Sequence, residues 1–400
     1  MLQYANMSSR VMNIKLDFIR HFLRRVYMIY KNLVKPILFL FDPEDVHNAF
    51  TFMGKFAGKC KITRALTRML YKYKNPKLEQ DYFGIHFENP LGLSAGFDYN
   101  INLPIIMGDV GFAFASGGTV TFNEYEGNPR PRLRRLPESK SLLVHKGFKS
   151  AGIKTVLDEV EFTDDNGINI GISIGATNAA NCATSDAQIE DIINSMNYLV
   201  NHEKGDKFAY YEINISCPNT LVTGALATPE TLEKLLSGIR KVKFDKPLFL
   251  KFQLEIQWKL AKELIEIMIK YKVDAIIIAN LLKKKSNYNF NKREINEIID
   301  NEWPGNFSGM PVQAIADDMI GKIYKEFGDK IKIIGVGGVF QAEDAYYKIK
   351  QGASLIHMIS GMIFNGPGVM SEINKDLVAL LEKDGYNNIS EAIGANHKKK

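Results

Sequence analysis

From residue 83 onward, short apolar runs alternate with amphipathic stretches of helical period. The runs are 91–96 (LGLSAG), 112–121 (FAFASGGTVT), 168–175 (INIGISIG), 208–216 (FAYYEINIS), 247–252 (PLFLKF), 273–280 (VDAIIIAN), 331–338 (IKIIGVGG) and 354–360 (SLIHMIS). Each has the length of a strand buried on both faces. Between them lie stretches such as 228–242 (TPETLEKLLSGIRKV), with a Thr-Pro start, and 257–272 (QWKLAKELIEIMIKYK), both of helical period. Eight strand–helix units predict an α/β chain folded as a (β/α)8 TIM barrel. A doubly wound open sheet alternates in the same way, but eight strands with glycine-rich ends favour closure. The polar, Asn-rich insertion at 283–309 predicts a long, mobile βα loop, and the HKKK terminus a frayed end.

Upstream the pattern differs. Residues 14–41 mix basic and apolar positions at helical spacing. Phe18, Phe22, Val26, Ile29 and Leu33 fall near one face, and Arg20, Arg24, Lys31 and Lys35 fall largely elsewhere. Pro36 breaks or restarts that helix. A basic amphipathic segment of this kind can lie on an anionic membrane surface; the alternative is a helix packed on its own domain with a solvated basic face. Residues 43–73 predict further short helices, and 74–81 (KNPKLEQD) a polar linker. The expected organisation is a small N-terminal helical extension, 1–75, followed by the barrel, 76–400.

Composition narrows the classes. Hydrophobic residues make up 46% and charged residues 24%, an ordinary globular balance. The net charge of +6 is too small to argue for a nucleic-acid partner. That charge is concentrated: residues 1–41 carry seven basic side chains against one acid, Asp17. Three widely spaced cysteines form neither a disulfide framework nor a zinc pattern, which fits a reducing compartment. There is no apolar run of membrane-spanning length and no signal-peptide core.

In such a barrel, function sits at the C-terminal ends of the strands. Those ends are rich in glycine and amides and poor in carboxylates, without a metal cluster or hydrolytic triad. They suit a planar cofactor bearing a phosphate. The turn 335–339 (GVGGV) lets backbone N–H groups approach an anion, and the N-terminus of the helix predicted at 341–352 favours negative charge there; turns at 308–311 (SGMP) and 360–368 (SGMIFNGPG) offer two more. Lys251 lies inside an apolar run. A buried lysine costs several kcal/mol unless paired, so it either meets an anion inside the barrel or snorkels from the strand end. Asn214 and Asn280 can donate to a heterocycle or shape turns. Cys217, between Asn214 and Asn219, is a candidate acid–base group, although a lone cysteine after a strand is more often inert.

The heptapeptide 214–220 (NISCPNT) resembles the substrate loop of the dihydroorotate dehydrogenases. From Asp42 onward the chain resembles their membrane-associated, quinone-reducing class. The matching pieces are 42–47 (DPEDVH), 91–98 (LGLSAGFD), 117–121 (GGTVT), 127–139 (GNPRPRLRRLPES), 147–148 (GF), 334–339 (IGVGGV), 351–354 (QGAS) and 391–394 (EAIG). The resemblance implies that FMN is held by Ala95, Gly96, Thr119, Asn214, Lys251, Ser308, Gly309, Gly337, Gly338 and Ser360. It implies that Asn214, Asn219 and Asn280 face the substrate ring, and that His47 and Arg135 line a quinone path in the extension. The implied chemistry is pyrimidine biosynthesis: Cys217 takes the C5 proton of dihydroorotate, hydride passes from C6 to flavin N5, and quinone reoxidises the flavin. The implied location is peripheral, on a cytoplasmic or mitochondrial inner membrane.

The chain departs from that pattern. Cysteine stands where the quinone class has a serine base. Tyr99 replaces the lysine after Gly-Phe-Asp, and Val144 replaces an asparagine three residues before Gly147-Phe148. The flavin-side stretches 175–178 (GATN) and Ala279-Asn280-Leu281 also differ. Two other readings therefore stay open: an FMN paralogue acting on another small ring or acid, and a non-catalytic barrel binding a ligand or membrane partner.

Overall fold

The computed structural model describes residues 30–163, 167–222, 224–283 and 289–398. All eight apolar runs become strands, here β1 (Leu91–Leu93), β2 (Phe114–Val120), β3 (Asn169–Ile174), β4 (Tyr210–Asn214), β5 (Leu248–Lys251), β6 (Ala275–Ile278), β7 (Lys332–Gly335) and β8 (Leu355–Met358). They pair in parallel and in order, and β8 closes on β1 through Met358 opposite Leu93. The expected closed barrel is the one formed. Residues on both strand faces are buried, some against the outer helices and some in the lumen, which is why the runs read as continuous rather than alternating.

The helices carry the punctuation expected of them. Pro229–Ile239 starts behind Thr228, whose side chain caps Thr231 in a reciprocal capping box. Trp258–Lys270 buries Ala261, Leu264, Ile265 and Met268 at helical spacing.

The barrel bottom is sealed by a hairpin, Gln80–Tyr82 and Ile85–Phe87. Phe83 at its turn packs 5.1 Å from Phe249, which stacks on Tyr210 at 4.5 Å. The stretch 74–81 is thus not the free linker its polarity suggests. It contains a short 3-10 turn, Pro76–Leu78, and the first hairpin strand, with Leu78 fully buried. One buried leucine among polar neighbours gives no periodic signal.

Over the barrel mouth lies a three-stranded antiparallel sheet of Leu133–Leu136, Ser141–Val144 and Asn306–Gly309. The last strand comes from the insertion expected to be a mobile loop. That insertion also holds a helix, Lys292–Asp300, started by the Asn291 side chain. Its apolar positions are few but anchored: Ile295 and Ile298 are buried.

The extension contributes α1 (Pro43–Lys59) and α2 (Lys61–Tyr71). Asp42 caps α1 by accepting from Glu44 N and Asp45 N, with Pro43 at the first helical position. Arg64 and Arg68 of α2 clamp Asp109 of the barrel helix Pro104–Val110, at 2.9 and 2.7 Å. Of the amphipathic segment 14–41, residues 14–29 lie outside the described residues. The rest forms a π-helical turn, Tyr30–Val34, and a new helix, Lys35–Leu38, restarted at Pro36.

Candidate active site

The strand ends, the covering sheet and α1 enclose one cavity. Its lining contains Cys217, the ten residues expected to hold a cofactor, the three asparagines expected to face a substrate, and His47. Arg135 is the exception. It lines a second, more apolar cavity beneath the extension, where its guanidinium donates to Leu38 O and Phe41 O at 3.3 and 2.9 Å. The two cavities share His47, Phe97, Leu133, Leu142 and Ile363 as a common wall.

Glycine is required at the phosphate-type turn. Gly337 and Gly338 have φ of 97° and 70°, and a Cβ on Gly338 would sit 2.4 Å from Gln313 Cβ. The Ser308 and Ser360 hydroxyls, from the two other expected turns, meet at 3.0 Å. The following helix, Ala342–Gln351, does not lend its N-terminus to this site: Asp344 closes it by accepting from Phe340 N and Gln341 N at 3.0 and 3.2 Å. An anion there would be met by the glycine and serine turns rather than by that helix end. A narrow, Cβ-free turn with two adjoining hydroxyls fits a phosphate-bearing cofactor.

The floor is polar and almost fully buried. Lys251 is 5% exposed and donates to Ser94 Oγ and Ala95 O, both at 3.2 Å. Burial lowers its pKa, against the opposing pull of Glu212. Glu212 lies in β4, fully buried, accepting from Ser173 Oγ at 2.9 Å through one oxygen while the other has no hydrogen bond. Lys251 therefore neither snorkels nor relies wholly on a bound anion. The relay continues upward: Ser173 Oγ lies 3.1 Å from Thr119 Oγ1, which accepts from Asn214 Nδ2 at 3.0 Å. Asn280 donates to Ser216 Oγ at 2.8 Å, and that hydroxyl donates to Asn214 Oδ1 at 3.1 Å.

Asn219 is more constrained than expected. It donates to Val144 O at 3.0 Å and accepts from Asn306 Nδ2 at 2.6 Å, while Asn128 holds its carbonyl at 2.9 Å. Its first task is to fix the loop that carries Cys217. Burial pushes the Cys217 thiol up to about 11, despite the Asn219 backbone N–H and the Lys251 charge.

At the extension side stands a cluster that sequence reasoning missed. Glu44, on α1, is 2% exposed and accepts from Arg132 Nε through both oxygens, at 3.0 and 2.9 Å. Burial alone would raise its pKa; Arg132 and Lys146 overcome this and hold it at about 2. Lys146 is 6% exposed, with its ammonium 3.3 Å from Glu44 and 4.7 Å from the centre of the Tyr99 ring. Burial and the Lys146 charge lower His47 to about 4, so its ring, packed between Phe97 and Tyr99, is neutral. These groups meet only in three dimensions. Glu44 and Arg132 fall inside pieces matched to the family, but with no role read from them; Glu212 had a signal of its own, as a carboxylate inside an otherwise apolar run.

Comparison with known proteins places the chain in a family. The family model described as dihydroorotate dehydrogenase matches residues 77–381. The dihydroorotate dehydrogenase (quinone) of Trichormus variabilis is 34% identical over 384 residues, covering 92% of this chain and 99% of that protein. The protein of the same description from Natronomonas pharaonis is 32% identical over 366 residues, covering 90% and 98%. The ferulenol complex of DHODH from Eimeria tenella superposes with a TM-score of 0.74 at 23% identity, covering 90% of this chain and 96% of that one, a likeness of fold. The chain belongs to the dihydroorotate dehydrogenase family, in its quinone class.

Proposed function

We propose that this protein oxidises dihydroorotate to orotate, in pyrimidine biosynthesis, on a bound FMN and passes the electrons to a quinone. The observation that carries the reading is the pair of cavities with one common wall. One is polar, with a thiol, amides and a lysine floor; the other is apolar and opens under the extension. The family is one of flavoprotein oxidoreductases. FMN is the form that suits a single phosphate turn, at Gly337, Gly338, Ser308 and Ser360.

When bound, the flavin supplies a hydride acceptor toward the substrate and an electron donor toward the quinone. Lys251, with Ala95, Gly96, Thr119 and Asn214, would hold the flavin. Gly309 lets the chain turn tightly beside Ser308, its φ being 87°. Asn214 and Asn280 orient the substrate ring, Asn219 keeps the loop in register, and Cys217 takes the C5 proton. His47 and Arg135 flank the quinone path, the neutral imidazole at the common wall and the guanidinium deeper in the apolar cavity.

Adding dihydroorotate without oxygen should bleach the yellow protein, and a quinone should restore the colour. A yellow protein that dihydroorotate leaves unchanged would overturn the substrate assignment and favour a paralogue for another small ring or acid. A colourless protein that takes up no flavin would favour the non-catalytic barrel.

The extension supports peripheral membrane attachment. Among the described residues, eleven of the fourteen exposed large hydrophobic side chains lie between Leu33 and Met69. Such clustering marks an interaction surface, and the sequence leading into it is rich in basic residues. No helix among the described residues is long and apolar enough to cross a membrane. Removing residues 1–41 and changing the exposed Phe52, Phe56, Ile62 and Met69 to serine should move the protein to the soluble fraction and lower turnover with long-chain quinones; unchanged membrane recovery would sink this assignment.

A further inference from the structure

Around Glu44 the charges do not balance. Two buried cations, Arg132 and Lys146, share one buried carboxylate, and Arg132 already engages both of its oxygens. Arg130, the third cation near Glu44, is half exposed and pairs with Asp45 at 2.9 Å. The other groups facing Lys146 add no anion. His47 is neutral, and burial raises the Tyr99 phenol so that it stays protonated. Asp98 turns its carboxylate to Asn102 N and Leu103 N, at 2.8 and 2.7 Å. Lys149 is another cation, drawn off by Glu126 at 3.6 Å. Among the described residues, the Lys146 ammonium has no hydrogen-bond partner beyond its 3.3 Å approach to Glu44, and it borders the polar cavity. A buried excess positive charge costs free energy until an anion meets it.

The segment bearing Lys146 is laced to the loop of Cys217. Val144 O accepts from Asn219 Nδ2 at 3.0 Å, and Lys146 O accepts from Asn128 N at 3.1 Å. Asn128 in turn donates to Asn219 O at 2.9 Å. We infer that the Lys146 ammonium binds the carboxylate of the substrate, at the extension side of the cavity. The assignment rests on the substrate reading proposed above and makes a small ring acid, rather than a neutral ring, the ligand class. It also gives a reason for Tyr99: its ring face holds the ammonium by a cation–π contact, at the position where the family has a lysine.

The test uses the flavin-loaded protein, with orotate and uracil as probes of its visible difference spectrum. Uracil keeps the ring and lacks the carboxylate. Lys146→Met should weaken orotate about tenfold or more, the size of one hydrogen bond to a charged group, and leave uracil unchanged. Lys146→Arg should recover most of the loss. Flavin content and thermal midpoint of each variant report folding. Burial lowers Lys146 to about 8, helped by Arg132 and Lys149 and opposed by Glu44. Orotate affinity should therefore fall as pH rises through that range in the wild type and stay level in Lys146→Met. Equal losses for orotate and uracil, or an unchanged orotate affinity, would overturn the assignment. A yellow wild type that responds to neither probe overturns the substrate reading instead. Benzoate then decides for Lys146: a carboxylate site requires it to raise the thermal midpoint of the wild type more than that of Lys146→Met, and equal shifts overturn the site.

Discussion

Replacing Cys217 with alanine is expected to slow reduction of the bound flavin by dihydroorotate about 10²- to 10⁴-fold, the range a positioned general base contributes. Flavin content should be unchanged, because Cys217 sits on the substrate loop and not on the glycine turn. The sign of the pH dependence follows from its raised pKa. The thiolate is the base, and a thiol pushed up to about 11 is protonated at neutral pH. At saturating dihydroorotate the rate of bleaching should rise with pH toward that value in the wild type and lose this slope in Cys217→Ala. Anaerobic stopped-flow absorbance across pH reads both. A Cys217→Ala variant with the wild-type rate at every pH removes the thiol from the reaction. The slope is separable from the Lys146 effect, which acts on affinity and runs in the opposite direction.

The second large effect is expected at Asp109, which lines neither of the two cavities. This carboxylate is 1% exposed and joins Arg64 and Arg68 of the extension to the barrel helix Pro104–Val110. Ile106, Met107 and Val110 of that helix line the apolar cavity. Asp109→Ala leaves the buried Arg64 without this partner, a change costing about 3–5 kcal/mol when one side of a buried pair is lost. The loss should fall on the docking of α2 and so on the shape of the apolar cavity. Quinone-linked turnover should drop sharply while anaerobic bleaching by dihydroorotate persists. Thermal unfolding together with the two half-reactions, measured separately, checks this. If both half-reactions decline in parallel, the extension is not a separable acceptor module.

The barrel was readable from the chain because its signal is local. Each buried strand is a run of apolar residues, six of the eight ending in Gly, Asn or Ser, and all eight runs fold as strands in the expected order. The residues at those ends, from Ala95 to Ser360, converge on one cavity because closure of the barrel brings strand ends together whatever their separation in sequence. What escaped the sequence came from outside the strands. Glu44, Arg132, Lys146 and Asn306 reach the site from α1, from the covering sheet and from the inserted segment. No periodicity announces that a helix, a hairpin and a distant insertion will share a wall. Likewise the Ala342–Gln351 helix looked open to an anion until its own Asp344 proved to occupy the end. The segment 283–309 looked like a loop because two buried isoleucines and a four-residue strand are too little pattern against its polar background.

The sealed lower end of the barrel divides the molecule's tolerance to change. Phe83, Phe249 and Tyr210 fill that end as a plug, so traffic is confined to the opposite rim. Substitutions in the plug alter how long the vessel lasts; substitutions at the rim alter what it admits. Durability and selectivity can therefore drift independently in this fold. That independence leaves room for a rim as altered as this one, with tyrosine at 99 and valine at 144, to sit on a closed aromatic base.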